Sequence, residues 1–174
     1  MLISVVGGDT APPDVLTQAE ELGRELARRG CAVVCGGRGG VMEAVCRGAR
    51  AEGGHTIGIL PGVDRGDANS YVEFPILTGM GYARNVAVIL SGEAVIAVDG
   101  SYGTLSEIAH ALAHGKPVIG LRTWSFTNGG VDDRAIIRAS DPQDAVEKAI
   151  AAASARPDGR PQTGARPGPS GSQR

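Results

Sequence analysis

Three times along this chain a run of small aliphatic residues breaks off at a glycine-rich turn and gives way to helical spacing. The runs are LISVV (2–6) before Gly7-Gly8, CAVVC (31–35) before GGRGG (36–40), and AVIAV (94–98) before DGSYGT (99–104). A continuous apolar run of that length suits a strand covered on both faces, and strands alternating with helices are joined by right-handed crossovers. The pattern predicts an α/β protein with a Rossmann-like, three-layer fold and a mostly parallel sheet. At 174 residues the chain suffices for one such domain. Aromatics are 3% of it and Gly supplies 27 residues, so Val, Ile, Leu and Ala must build the core, and many turns must bring backbone close to backbone or ligand.

The helical segments carry their own punctuation. Residues 11–30 open with prolines, set Val15, Leu16, Ala19, Leu22, Leu26 and Ala27 on one face, and close with Arg28, Arg29 and Gly30. Further helices are predicted at 41–52, 84–91 and within 99–114, and further strands at 55–60, near 72–77 and at 117–121. Residues 62–83 are otherwise irregular, which in a compact domain marks a functional loop. "RTWSFTNGGVDD" (122–133) reads as a turn or hairpin, and Ser140 with Gln143 as a capping-box-like start for an Ala-rich last helix. Residues 1–154 form the predicted domain. The remainder, 155–174, holds eight Gly or Pro and nothing to bury, and reads as a disordered tail.

Charge and cysteine usage narrow the setting. The net charge is −2, but the tail carries four Arg against one Asp, which leaves −5 on residues 1–154 and no general footprint for nucleic acid. Cys31, Cys35 and Cys46 form no CxxC pair, and four residues along a strand would hold the first two roughly 13 Å apart, too far to bridge. They read as reduced thiols of a cytoplasmic protein. "MLISVVGG" has no basic leader region, and no run approaches the ~20 apolar residues that span a bilayer, so no membrane partner is expected.

Ligands of parallel α/β sheets bind beyond the carboxyl ends of the strands, where a turn meets a helix N-terminus. Gly7-Gly8, Gly36-Gly37-Arg38-Gly39-Gly40 and Asp99–Thr104 all belong there. Free N–H groups at those helix starts favour an anion, and small residues let it approach, so a phosphorylated small molecule is the expected partner. The plainer reading is that each glycine only makes a tight turn. "GGRGGVM" departs from GxGxxG at Met42, no acidic residue ends the next strand for a ribose, and the one Gly-Lys (115–116) precedes Pro117. Neither a dinucleotide oxidoreductase nor a P-loop NTPase is supported.

"GGRGGVMEAVCRGARAEGGHTIGILPG" resembles the GG-x-x-G-x-M, A-x-x-x-GG and G-x-x-P segments of the Lonely Guy (LOG) proteins, which hydrolyse cytokinin-type nucleoside 5′-monophosphates. "DGSYGTLSE" is similar to that family's P-G-G-x-G-T-x-x-E. The stretch from Asn69 to Leu121 is closer still to the small LOG-like branch that includes molybdenum cofactor carriers, and the likeness covers roughly residues 1–153. It implies nucleotide binding and a homodimer or larger oligomer. It also implies Arg84 and Glu107 as the catalytic pair, phosphate contacts at Gly100, Gly103 and Thr104, and Gly36, Gly37, Gly39, Gly40 and Met42 on the opposite wall. Gly7, Gly8 and Ser101 join the candidate binding residues. Two departures stand out: Asn85 where the enzymes have Lys, and Asp99-Gly100-Ser101 where they have Pro-Gly-Gly. Asp99 would repel phosphate, and is expected instead to cap the following helix or contact a ligand hydroxyl.

The resemblance implies either a phosphoribohydrolase, releasing free base and ribose 5-phosphate, or a carrier of a phosphorylated pterin such as molybdenum cofactor, or a nucleotide-sensing module. No cofactor is required for the first. Glu107 would orient or deprotonate water, and Arg84 would steady base or phosphate. The plainer alternative has Glu107 in the first turn of its helix, complementing the helix dipole or pairing with Arg84. Glu107, His110 and His114 share a helical face, but without a further ligand cluster no metal site is expected. Trp124 either stacks on a base or packs at the sheet edge, and Met80 and Tyr82 either border a ligand or pack locally.

Overall fold

The computed structural model describes residues 1–128 and 131–155. Its strands are β1 (Leu2–Gly7), β2 (Ala32–Cys35), β3 (Thr56–Leu60), β4 (Phe74–Leu77), β5 (Ala94–Val98), β6 (Val118–Leu121), β7 (Phe126–Asn128), β8 (Val131–Asp133) and β9 (Ile136–Ala139). Its helices are α1 (Pro13–Arg28), α2 (Val41–Ala51), α3 (Arg84–Ser91), α4 (Tyr102–Ala113) and α5 (Pro142–Ser154). Seven strands form one parallel sheet in the order β4-β3-β2-β1-β5-β6-β9, and β7 and β8 pair separately as an antiparallel hairpin. The predicted tail lies outside the described residues, apart from exposed Ala155.

This order decides where a ligand can sit. The chain runs outward from β1 through β2 and β3 to the edge at β4, then returns to β5 on the other side of β1. Crossovers on the two sides of that junction go to opposite faces, which opens a crevice at the carboxyl ends of β1 and β5. The register pairs Gly7 with Val98, so the turns that follow the two strands leave the sheet at the same height.

Each face of the sheet has its own apolar layer. One is closed by α1, α2 and α5 over Ile3, Val5, Ile96 and Ile119, and the other by α3 and α4 over Val6, Val34, Val95 and Val118. On α1 the apolar stripe buries Val15, Ala19, Leu22 and Leu26 as its spacing predicts. That helix meets α2 backbone to backbone: a methyl on Gly23 would lie 2.8 Å from the Ala49 nitrogen, and one on Gly48 2.8 Å from the Glu20 carbonyl carbon. Gly23→Ala is therefore expected to force the helices apart and cost about 1–3 kcal/mol in a urea unfolding titration, despite the better helix propensity of Ala.

Two expectations change. Strand β9 extends the sheet beyond β6, although residues 136–139 lack the alternation that marks a half-buried strand, with Ile137 and Arg138 both exposed. Helix α5 is capped by Asp141, not Ser140: the Asp141 carboxylate accepts from the Asp144 N–H at 2.9 Å, and Ser140 N–H donates back to the Asp144 carboxylate at 2.9 Å. The cap lies one residue later than expected, and the returning bond reaches the N–H just before the N-cap. Cys35 and Cys46 are neighbouring thiols, with sulfurs 3.5 Å apart in the buried layer, a proximity that their spacing does not signal. All three cysteines remain free.

Candidate functional site

A cavity of about 390 Å³ opens at the crevice, a size suited to a small molecule. Gly7 and Gly8 line it from the end of β1, Ser101, Gly103 and Thr104 from the start of α4, and Met42 from α2. Arg84 opens α3, and Glu107 lies one turn into α4.

The first turn of α4 opens onto the cavity with the chemistry to accept an anion. Ser101 stands at its N-cap without a side-chain capping bond, so the N–H groups of the opening turn keep their donors for another partner. A methyl built on Gly103 meets nothing within 4 Å, so the glycine faces open space that a ligand can fill. Asp99 does not cap this helix and does not line the cavity. It bends the chain: Asp99 (φ 48°) and Gly100 (φ 108°) both take left-handed backbone. The Asp99 N–H is fixed to the Leu121 carbonyl at 3.2 Å, and its own carbonyl accepts from the Thr123 hydroxyl at 2.5 Å.

Arg84 and Glu107 are each 7% exposed, and among the described residues no ion pair within 4 Å joins them. The Arg84 Nε is buried without a hydrogen-bond partner. Burial pushes the Glu107 carboxyl up to about 7; the Arg84 charge pulls it down and Asp9 pushes it up further. Burial likewise lowers the Arg84 guanidinium from its ordinary value, against the pull of Glu107. Glu107 is the sixth residue of α4, beyond the first turn, so neither the dipole nor a direct ion pair accounts for it. The two groups are both desolvated and each feels the other's charge, with no direct bond between them.

The second glycine turn serves this arrangement from behind. A methyl on Gly36 would lie 2.6 Å from both the Arg84 Nη2 and the Met42 sulfur, so the missing side chain is the space the guanidinium occupies. Gly36→Ala is expected to displace Arg84 and cut ligand affinity at least tenfold, measurable by calorimetry. Gly37, Gly39 and Gly40 shape the turn without lining the cavity; at Gly40 the left-handed φ of 62° and the adjacent Gly8 and Asp9 backbone leave no room for a side chain. The Val41 N–H donates to the Gly8 carbonyl at 3.0 Å, tying the first two glycine turns together.

Sequence reasoning passed over Asp9 and Arg38. They face each other at the mouth at 3.6 Å, both about half exposed, and Arg38 also adds a second guanidinium near Arg84. Spacing carries no signal for Asp9, and Arg38 occupies a variable position of the GG-x-x-G segment. Asn85 and Tyr82 also line the cavity, whereas Met80 does not. Trp124 packs in the α3–α4 layer with its ring 6.0 Å from that of Tyr102, away from the cavity lining. Among the described residues no cluster of three His, Cys, Asp or Glu side chains could hold a metal, and no helix is long and apolar enough to cross a membrane.

A parallel sheet whose strand order reverses at β1, with a cavity at that reversal, defines a Rossmann-like α/β protein. The chain belongs to the SLOG cluster4 family, which residues 1–146 match. It is 41% identical over 122 residues to an uncharacterised protein of Archaeoglobus fulgidus, covering 70% of this chain and 80% of that one. It is 32% identical to the cytokinin riboside 5′-monophosphate phosphoribohydrolase of Mycobacterium tuberculosis, over 67% of each chain. Against the probable rice enzyme LOGL9 the identity is 34%, with 58% of this chain matched and only about half, 48%, of the relative. Among solved structures, the molybdenum cofactor binding protein of Rippkaea orientalis superimposes with TM-score 0.78 at 36% identity, covering 86% of this chain and 95% of that one. A Moco carrier protein from Chlamydomonas reinhardtii gives 0.77 at 33%, covering 88% and 98%.

Proposed function

We propose that the cavity binds a phosphorylated N-heterocycle and hydrolyses the N-glycosidic bond of a nucleoside 5′-monophosphate. The observation that carries the reading is the Arg84–Glu107 pair, nine-tenths buried at the cavity wall with no direct ion pair between its members. An ion pair kept for stability would be mated, since leaving desolvated charge uncompensated is costly. Here the mating partner is the ligand.

In this account the phosphate docks on the N–H groups that open α4, beside Gly103 and Thr104. Ionised Glu107 takes a proton from water as the water oxygen bonds to the sugar carbon. The bond from that carbon to the base nitrogen breaks with its electron pair going to the base, and the proton held by Glu107 passes to the departing base, which restores the carboxylate. Arg84 offsets the negative charge that develops on phosphate or base. Free base and ribose 5-phosphate are the products. A carboxyl near 7 suits a base at neutral pH, and the rate should rise as Glu107 ionises. The test is the pH profile of kcat/KM for base release from N6-substituted AMP. An acid limb with its midpoint near 7 supports the assignment, and a flat profile from pH 5 to 9 contradicts it.

A carrier function is the second reading, favoured by the near full-length match to molybdenum cofactor carriers and by Asn85, which removes a positive charge found in the enzymes. It expects a reduced pterin phosphate to be retained intact in the same cavity. A homodimer or larger oligomer is part of either reading.

A further inference from the structure

We propose that the Tyr82 ring is the platform on which the ligand's planar heterocycle stacks, an inference that rests on the phosphate-site reading above. Among the described residues Tyr82 is the one aromatic residue lining the cavity; the rest of that lining is glycine, polar or charged side chains, Met42 and Pro61. A phosphate and a sugar are satisfied by N–H groups, hydroxyls and guanidinium, but a purine-sized ring needs a flat apolar face to replace water on its own.

The backbone beneath Tyr82 is fixed while its ring is free. The Gly79 N–H donates to the Gly62 carbonyl at 3.1 Å and the Gly81 N–H to the Pro61 carbonyl at 2.9 Å, and the Thr78 hydroxyl donates to Leu60 at 2.7 Å. Gly79 (φ 64°) and Gly81 (φ 55°) give this segment its left-handed bends, and a single 3-10 turn over Gly81–Ala83 delivers Tyr82 two residues before Arg84. The ring is 86% exposed and makes no ring contact or side-chain hydrogen bond among the described residues. Tyr102 is almost as exposed at 80%, but its ring already lies against Trp124. An anchored backbone carrying an unengaged aromatic ring at the cavity is what a stacking site needs before its ligand arrives.

Purines and pterins share this flat fused-ring chemistry, so the test runs both. Calorimetry would measure binding of AMP, a reduced pterin monophosphate and ribose 5-phosphate to the intact protein, to Tyr82→Ala and to Tyr82→Phe. Because Tyr82 is exposed, neither substitution threatens folding. The expected result is that Tyr82→Ala weakens the better-bound heterocycle about tenfold or more, leaves ribose 5-phosphate within twofold, and is rescued by Tyr82→Phe. Which heterocycle responds identifies the ligand class. An unchanged heterocycle affinity in Tyr82→Ala, or a wild-type protein that binds both heterocycles no better than ribose 5-phosphate, overturns the platform while the phosphate site stands. If the wild type binds none of the three, the phosphate-site reading falls and the platform with it.

Discussion

Glu107→Gln is expected to make the protein more stable at pH 8 by about 3 kcal/mol while lowering hydrolysis about a thousandfold. The stability gain follows from linkage. The folded carboxyl titrates at about 7, above its unfolded value of 4.5, because burial disfavours its charge. Between those values the folded state holds a proton that the unfolded state has released, so stability falls as pH rises through the window and stays low above it. Gln mimics the neutral carboxyl and escapes the loss. The two proteins should differ least below pH 4.5 and most above pH 7, as read by urea denaturation at several pH values. A Gln variant less stable than wild type at pH 8 would mean that the ionised carboxylate is a structural asset, and that the site holds no charge in reserve for a ligand.

Gly103→Val is the second large effect, and it separates binding from folding. Nothing lies within 4 Å of a methyl at this position, and Gly103 does not take a left-handed φ. The variant should therefore fold with stability close to wild type. The new side chain would occupy the space before the α4 N–H groups, where the phosphate is placed, and should weaken ribose 5-phosphate and nucleotide binding at least a hundredfold, because charge-assisted bonds to the helix start demand close approach. Full binding by a well-folded Gly103→Val protein would move the phosphate elsewhere in the cavity. Gly100→Val is the contrasting case: φ is 108° and the Thr104 side chain is in the way, so that variant should lose stability itself.

Much of this architecture is legible in the chain because its strands are buried on both faces and their apolar runs end at glycines. LISVV and AVIAV read as strands on that ground alone, and the position of the crevice follows once they are placed side by side. β9 was not legible, since an edge strand with Ile137 and Arg138 exposed carries neither alternation nor a continuous apolar run. Asp99 misled for a physical reason: Asp three residues before a helix resembles a cap, but Asp also tolerates left-handed backbone, and only the fold shows which property is used. Gly36 is a similar case. Its motif suggests contact with ligand, whereas its missing side chain makes room for Arg84. Arg84 and Glu107 came from motif resemblance, and no periodicity would have shown that 23 positions apart they share one cavity. Asp9 and Arg38 depend on two loops meeting across the mouth, a relation that lies in the tertiary structure.

The most direct test of the central claim is to incubate the purified protein with a panel of nucleoside 5′-monophosphates, N6-substituted AMP included, and score free base and ribose 5-phosphate by mass spectrometry beside Glu107→Gln. Release of both products in equal amounts by the wild type, and not by the variant, is the result expected if Glu107 activates water in this cavity. Nucleotides recovered intact, or release that survives Glu107→Gln, would contradict it.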